Sequence, residues 1–231
     1  MNETDTQQPP AESKWGRHFW VLLAVNALIF VCFCIAFYQG LPEDMTSHYN
    51  ASGEADRTMT KFSFWLLYGS VGILLPAVLT FVRNIDPRKP NYNRFRGYFT
   101  LMRYAVSVFL HGIFLMIILD NLDYDVPVMT IVMGGIGLLW IVVGNGMSQL
   151  RSNFFMGIRT PWTLTDEDNW RRTHRVGARL WVLSGILMFA GAFFLNPTGL
   201  IVDLAIMIFL SVVIPYVYSY KLYKDKFANK A

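Results

Sequence analysis

The sequence predicts an all-α integral membrane protein, a bundle of six transmembrane helices with both termini in the cytoplasm. Charged residues make up only 16% of the 231 residues, against roughly 25% in a soluble domain, and the mean hydropathy is +0.35. Continuous apolar runs favour helices over the alternating strands of a barrel. Six runs are long enough to cross roughly 30 Å of hydrocarbon, namely 19–38, 62–82, 98–119, 127–147, 178–195 and 199–220.

Lysine and arginine are distributed very unequally between the two sides of this bundle. Of the 20 such residues, all but Arg57 and Lys61 fall on the side that holds both termini and the second and fourth loops. Because cytoplasmic loops carry an excess of positive charge, that side is predicted to be cytoplasmic. The same bias accounts for the net charge of +4, so no direct contact with nucleic acid is predicted.

The predicted organisation follows the six spans in chain order. The two cysteines, Cys32 and Cys34, lie inside the first span and are predicted to be packing residues. The segments are a disordered cytoplasmic tail (1–18), the first two spans with an outer loop at 39–61 (19–82), the third and fourth spans with a basic cytoplasmic loop at 83–97 (83–147), the fifth and sixth spans with a cytoplasmic loop at 148–177 (148–220), and a cytoplasmic tail (221–231).

The cytoplasmic loop 148–177 contains the signals of a turn followed by a helix. Thr160 precedes Pro161, which disfavours a helical conformation at Thr160. Thr165 is the predicted N-cap of a helix that begins near Asp166, because three acidic residues follow it and suit the positive end of the helix dipole. This helix is predicted to run past Gly177 directly into the fifth span.

Two interpretations of this loop remain open. In the first, its tryptophans anchor at the membrane interface, Arg159 pairs with a lipid phosphate and His174 is a packing residue. In the second, it is a folded element on the membrane surface, with one stripe formed by Trp170, His174, Gly177 and Trp181. A metal site needs several converging ligands, and the serines and threonines lack a base and an orienting group. No catalytic residue, metal site or cofactor is therefore predicted.

The outer loop 39–61 is predicted to contain a turn at residues 50–53. Around this turn, acidic side chains alternate with His48, Arg57 and Lys61. Ion pairs on a solvated surface contribute little to stability, so the loop is either a solvated connection or an outward recognition surface.

Polar residues within the spans are few, and ionisable groups in a membrane deserve a functional hypothesis. The notable residues are Asn26, His111, Asn145 and Asp203. His111 lies mid-span and is expected to be neutral and bonded to a neighbouring helix. Asp203 lies within about one turn of the outer end, so it is expected to reach water.

Taken together, the two loops resemble those of the SdpI family, immunity proteins against a sporulation-delaying toxin of bacteria. The outer loop is similar to the family's N-terminal domain of unknown function at Asn50, Gly53, Glu54 and Asp56. The segment 148–220 is similar to the SdpI region itself. Its matching residues are Asn153, Gly157, Arg159, Thr160, Pro161, Trp162, Thr163, Trp170, Thr173, His174 and Gly177.

The resemblance implies a multi-pass protein of the bacterial inner membrane that protects the cell from a secreted, membrane-active toxin. The implied partners are the lipid bilayer, a peptide or protein toxin on the outer side, and a cytoplasmic repressor held at the membrane. The outer loop would meet the toxin, and the inner loop would transmit the signal or brace the bundle. The implied role is not enzymatic.

Two other functions compete with immunity. A small transporter or exporter would use His111, Asn145 or Asp203 near a central path, although the sequence shows neither an inverted repeat nor a pair of broken helices. A membrane enzyme would use Arg159 to bind an anionic head group and His174 as acid or base.

Overall fold

The computed structural model describes residues 12–228 of the chain. Over this range helices predominate, and a single two-stranded antiparallel sheet joins the first two spans. The elements are α1 (Glu12–Phe37), β1 (Asp44–Tyr49), β2 (Ala55–Thr60), α2 (Lys61–Tyr68), α3 (Leu75–Val78), α4 (Val82–Ile85), α5 (Arg96–Asp120), α6 (Val128–Met147), α7 (Pro161–Thr165), α8 (Glu167–Phe194), α9 (Pro197–Ile208) and α10 (Ile214–Ala228).

Within the described range, six helical stretches are long and apolar enough to cross a bilayer, which confirms the predicted fold class. The chain is thus a multi-pass membrane protein. A π-helical turn, Gly69–Leu74, joins α2 to α3, and a second, Phe209–Val213, joins α9 to α10. The stretches are His18–Phe37, Lys61–Val78, Lys89–Asp120, Val128–Met147, Glu167–Phe194 and Pro197–Lys226. The side on which the termini lie stays a prediction of the charge distribution.

The closest helix pair in the bundle is formed by α6 and α8, whose backbones touch at glycines. A Cβ atom on Gly137 would lie 2.6 Å from the backbone nitrogen of Phe189, and one on Gly185 would lie 2.7 Å from the carbonyl oxygen of Gly137. Small residues allow such approach where no hydrophobic force drives helices together in lipid. Helices α9 and α10 then pack against the other side of α8.

The first three spans meet in an aromatic core around Tyr68. The ring of Tyr68 is fully buried and stacks on that of Phe114 with centroids 4.3 Å apart. The rings of Phe30 and Trp65 also lie against it. This core lies at the end of the bundle that carries the β-hairpin, because Met45 of β1 belongs to the same buried cluster.

The chain outside the spans is more ordered than predicted. Helix α1 begins at Glu12, so residues 12–18 of the predicted disordered tail are helical, as a continuation of the first span. Residues 1–11 lie outside the described residues. The outer loop 39–61 forms the β-hairpin. The loop 83–97 contains α4 and a 3-10 helix, Lys89–Phe95. Residues 221–228 of the C-terminal tail continue α10.

Candidate functional site

The loop between α6 and α8, residues 148–166, folds against the helices and does not stand free. Asn153 organises its first half with a fully buried side chain. The Asn153 Oδ1 accepts the backbone N–H groups of Phe155 at 3.0 Å and Met156 at 2.7 Å, and its Nδ2 donates to the carbonyl of Arg151 at 2.9 Å. An asparagine suits this position because its short amide can replace a backbone turn.

The loop 83–97 holds the 148–166 loop in place from the other side. The buried Asp86 accepts, through Oδ2, the backbone N–H of Phe154 at 2.9 Å and the hydroxyl of Tyr92 at 2.8 Å. The Arg88 guanidinium donates to the carbonyl of Leu164 at 2.8 Å and to the hydroxyl of Ser152. Sequence reasoning missed both residues, although Asp86 is the only acid in a basic loop.

His174 closes the second half of the 148–166 loop onto α8. Its Nε2 accepts the backbone N–H of Ile158 at 2.9 Å, and its Nδ1 donates to the carbonyl of Trp170 at 2.8 Å. The imidazole is fully buried and stacks on the ring of Trp170 at 4.0 Å. Because Nε2 must be unprotonated to accept, this geometry holds a neutral imidazole with both nitrogens occupied.

Gly157 makes the approach of the loop to His174 possible. Its φ is +92°, a region that side chains other than glycine rarely adopt. A Cβ atom at this position would lie 2.3 Å from the His174 Nε2. Gly177 has a related role on α8, since its Cβ would lie 2.4 Å from the terminal methyl of Ile158.

The Thr-Pro-Trp-Thr segment forms α7, with reciprocal caps at its start. The Thr160 hydroxyl accepts the Thr163 N–H at 3.1 Å, while the Thr163 hydroxyl accepts the Thr160 N–H at 2.9 Å. Thr160 is extended and Pro161 occupies the first turn, where a missing N–H costs nothing. The hydroxyl of Ser219 in α10 donates to Thr160 at 3.0 Å, which ties α7 to the sixth span.

The N-cap of α8 is Asp166, so the prediction of Thr165 was wrong. The Asp166 Oδ1 accepts the N–H of Asp168 at 2.9 Å and that of Asn169 at 3.4 Å. Thr165 is the last residue of α7, and its hydroxyl instead donates to the carbonyl of Pro161 at 2.9 Å. The predicted continuation past Gly177 into the fifth span is confirmed, because α8 is one helix.

The remaining aromatic and polar residues of the segment join it to α8 and α10. Trp162 packs against the rings of Tyr216 and Tyr220 in α10. The Trp170 indole donates to the carbonyl of Leu150 at 2.9 Å. The buried Thr173 hydroxyl donates to Asn169 at 3.0 Å, and the Asn169 amide donates to the carbonyl of Ser219 at 2.8 Å.

Arg159 differs from His174 because its side chain is exposed. Its Nη1 donates to the carbonyl of Phe154 at 2.6 Å. The residue lies at a cavity of about 440 Å³ between the loop and the bundle. The apolar walls of this cavity include Tyr98, Met102, Val143, Met147 and Trp181. The structure therefore separates the roles of two residues that the sequence grouped together: His174 is buried in the fold, and Arg159 remains accessible.

At the other end of the bundle, the β-hairpin contains the second set of candidate residues. The Asn50 Oδ1 accepts the N–H groups of Ser52 at 2.8 Å and Glu54 at 3.1 Å, which forms the predicted turn. Gly53 has a φ of +85° and touches Met129 at the start of α6. The exposed Asp56 and His48 link the two strands, with 2.5 Å between Oδ1 and Nδ1.

The hairpin is docked on the bundle by side chains at the end of α5. The hydroxyl of Tyr49 donates to the Asp120 carboxylate at 2.7 Å, and burial together with this bond raises the pKa of Tyr49. The Asn121 side chain bonds both the N–H and the carbonyl of Thr46. Lys61 is buried and donates to the carbonyl of Leu41 at 2.7 Å, so it is a structural anchor of the hairpin.

The intramembrane candidates His111, Asn145 and Asp203 do not come together, whereas Asn26 lies beside His111. His111 is bonded to Tyr68 through Nδ1 at 2.8 Å and to Asn26 through Nε2 at 3.0 Å, so it links the first three spans. Asp203 is buried against Gly191 of α8, and the expectation that it reaches water was wrong. The reason is that α9 turns this residue toward α8. Asn145 is exposed in the last turn of α6.

Among residues 12–228, no group of three His, Cys, Asp or Glu side chains is placed to hold a metal ion. The fixed side chains of both loops instead bind backbone groups and neighbouring helices, which is the chemistry of a folded scaffold.

Comparison with known proteins matches both ends of this scaffold. Residues 149–219 match the SdpI/YfhL protein family, and residues 25–70 match the Domain of unknown function DUF1648. The chain is thus similar to the SdpI/YfhL family over its last two spans and the loop before them. It is also 25% identical over 205 residues to Immunity protein SdpI of Bacillus subtilis (strain 168), covering 86% of this chain and 96% of that protein. No solved structure matches the chain.

The two matched regions correspond to the two docked elements. The SdpI/YfhL region contains most of the 148–166 loop, all of α8 and Ser219, which together make the network around His174 and Thr160. The N-terminal region contains the hairpin and Tyr68. The residues that carried the resemblance are thus largely those that hold the two ends of the fold.

Proposed function

We propose that this protein protects a bacterial cell from a secreted, membrane-active toxin, with the hairpin facing the toxin and the 148–166 loop bracing the opposite side. The likeness to Immunity protein SdpI of Bacillus subtilis supports the general role. The assignment of separate roles rests on one structural observation: the hairpin and the 148–166 loop lie at opposite ends of α6. Gly53 touches its first turn, and the loop follows directly after Met147. Twenty residues of helix separate the ends by about 30 Å.

The orientation in this proposal places the hairpin outside and the 148–166 loop in the cytoplasm. It is supported by the concentration of lysine and arginine on the loop side. Its test is a Ser52→Cys variant in a background without Cys32 and Cys34. A membrane-impermeant maleimide added to intact cells is expected to label the exposed hairpin tip. Labelling only after lysis would reverse the orientation.

The hairpin suits recognition because it combines a held strand with an exposed one. Strand β1 is fixed by Asn121 and Tyr49, whereas five of the six residues of Ala55–Thr60 are exposed. An exposed strand can pair with an extended peptide through its backbone. We infer that the toxin contacts this strand and the adjoining pair His48 and Asp56.

The test of immunity is the survival of a toxin-sensitive bacterial host that expresses the protein and is exposed to sporulation-delaying toxin. Expression of the inserted protein is expected to raise survival, and the paired variant His48→Ala/Asp56→Ala is expected to lose much of this protection. Arg171→Gln is the matched control, because it removes one exposed charge at the other end of the bundle. Unchanged survival with protein shown in the membrane fraction would refute immunity to this toxin. Full protection by the paired variant would refute the role of His48 and Asp56 in the hairpin, but it would leave the proposal of immunity in place.

A signalling role would use the opposite surface. The 148–166 loop is held by α8, α10 and the basic loop 83–97, so the two loops together offer a cytoplasmic repressor a rigid surface. Membrane recruitment of a fluorescent repressor only in cells that express the protein and meet the toxin would support this second part of the proposal. Equal recruitment without toxin would oppose it.

The geometry supports a role without catalysis or transport. Both nitrogens of His174 are occupied by backbone groups, so it is not free to act as acid or base. A transport path through His111, Asn145 and Asp203 lacks support, because His111 bonds within the first three spans whereas Asp203 packs on α8. Proteoliposome flux that depends on His111 and Asp203 would overturn this conclusion.

A further inference from the structure

A groove between α6 and α8 combines a cationic end with an apolar end. Its volume is about 510 Å³. It lies where α6 ends and the 148–166 loop begins, and its floor forms where Gly144 lets α6 approach the backbone of Val182, since a Cβ there would lie only 2.9 Å from that nitrogen. The polar end is lined by Asn145, Ser148, Arg175 and Arg179, and the apolar end by Val182, Leu183 and Ile186.

The two arginines of this groove differ from the two that precede them on α8. Asp168 pairs with Arg171 at 2.6 Å and with Arg172 at 3.8 Å. Arg175 and Arg179 follow one and two turns later, and within residues 12–228 neither has a carboxylate at ion-pair distance. Asp168 is therefore shared by the first pair and Asp166 is used by Lys226, so among the described residues the second pair has no carboxylate to compensate its charge.

The spacing of Arg175 and Arg179 makes an anion between them favourable. Residues four apart lie on the same face of a helix, and like charges there repel each other. Two guanidinium groups about one turn apart can both donate to the oxygens of one phosphate, as arginine does in planar, bidentate contacts. Both side chains are exposed, so the anion can reach them.

The apolar end of the groove selects the kind of anion. Val182, Leu183 and Ile186 continue the same region of α8 into the fifth span. A free phosphate would cover only the arginines, whereas a phospholipid would cover both ends, with its phosphate at the guanidinium groups and an acyl chain along the apolar residues. Charge complementarity and position at the end of a span thus identify a lipid of the surrounding bilayer.

We propose that this groove is a binding site for one anionic phospholipid, whose phosphate lies between Arg175 and Arg179 and whose head group contacts Asn145 and Ser148. The site does not depend on the proposed immunity, since it would be occupied in the absence of toxin.

The experiment compares lipid retention by purified full-length variants. Each protein is delipidated in detergent, mixed with equal amounts of phosphatidylglycerol and phosphatidylcholine, and analysed by native mass spectrometry. The test variant is Arg175→Gln/Arg179→Gln. The control variant, Arg171→Gln/Arg172→Gln, removes the same charge from the same helix but from the pair that has a carboxylate partner. With roughly 1 kcal/mol for each basic residue near anionic lipid, the test variant is expected to bind phosphatidylglycerol roughly 30-fold more weakly.

Wild type and control variant are expected to keep their preference for phosphatidylglycerol, and the test variant is expected to lose it. Equal losses in both double variants would overturn the site, because general charge would then be the cause. The same would follow if wild type retained both lipids equally. In a separate measurement, inorganic phosphate is added to the protein and phosphatidylglycerol. Displacement of the lipid by millimolar phosphate would show an anion site without lipid specificity and would overturn the proposal. If the double test variant aggregates, Arg175→Gln and Arg179→Gln singly are expected to weaken binding about fivefold each, and no change in either would overturn the proposal.

Discussion

Replacement of Gly157 by alanine tests the central contact of the 148–166 loop. The added Cβ would lie 2.3 Å from the His174 Nε2 and 3.0 Å from a Leu150 methyl, at a φ of +92°. A side chain in so rare a backbone region costs about 1–3 kcal/mol. Displacing His174 also leaves the buried N–H of Ile158 unsatisfied, which costs about 1–3 kcal/mol more. The expected destabilisation is therefore about 3 kcal/mol.

The measurement is thermal unfolding of the purified protein in detergent, followed by tryptophan fluorescence. For a chain of this size, 3 kcal/mol corresponds to a fall in Tm of about 6–12 °C. Gly97→Ala is the matched control, because its Cβ would meet no atom within 4 Å and its φ is not positive. It is expected to leave Tm unchanged or slightly higher, since alanine favours a helix. A Gly157→Ala variant with the same Tm as the Gly97→Ala control would refute the reasoning.

A double-mutant cycle separates the two causes of this effect. In a His174→Ala background the collision with the imidazole is removed, while the backbone strain and the contact with the Leu150 methyl remain. The further cost of Gly157→Ala is therefore expected to fall by at least about 1 kcal/mol. Purely additive effects of the two substitutions would show that Gly157 and His174 act independently.

Three further predictions concern the other contacts that hold the two ends of the fold. Asp86→Ala removes the acceptor of the Phe154 N–H and the nearer acceptor of the buried Tyr92 hydroxyl, so we expect a loss of about 2–3 kcal/mol and earlier cleavage of the 148–166 loop in limited proteolysis; cleavage at the wild-type rate would show that Asp86 does not hold this loop. Tyr49→Phe removes the bond to Asp120 and is expected to cost about 1 kcal/mol and to speed hydrogen exchange in the hairpin, whereas unchanged exchange would show that the hairpin is held elsewhere. The bond from Lys226, aided by backbone N–H groups, holds the pKa of Asp166 below its usual value of 3.8. Its stabilisation is present above that value and is lost as the pH falls through the lower folded-state pKa. We therefore expect Lys226→Gln to lower Tm at pH 7 and to converge with wild type at strongly acidic pH, and a difference that persists there would exclude this ion pair as the cause.

The six spans and the approximate start of α8 were predictable because their causes are local. Bilayer thickness requires about twenty apolar residues in succession, and the six runs show this without reference to any contact. The acidic residues 166–168 likewise predict the start of a helix, because they lie in its first turn. The choice of Asp166 over Thr165 as N-cap follows from α7, which ends at Thr165 and uses its hydroxyl within the same short helix.

Contacts between distant segments could not be predicted from residue types. Asp86 binds the backbone of Phe154, 68 positions later, and a single acid in a basic loop does not reveal which N–H group it will meet. His111 was recognisable as a polar residue in a span, but Tyr68 and Asn26 became its partners only through helix packing. Asp203 was misjudged for the same reason, since its depth along α9 does not tell which face meets α8.

By itself, the sequence determined the membrane fold, the number of spans and the segments that resemble the SdpI family, because hydropathy, charge bias and motif spacing are properties of the chain. Only the tertiary structure decided what those segments do in the fold. It buried His174 behind Gly157, left Arg159 accessible, and placed Arg175 and Arg179, which have no carboxylate partner among residues 12–228, beside an apolar groove. The physical reason is that the burial and pairing of a polar side chain depend on the neighbours that other segments bring to it, and sequence position does not specify them.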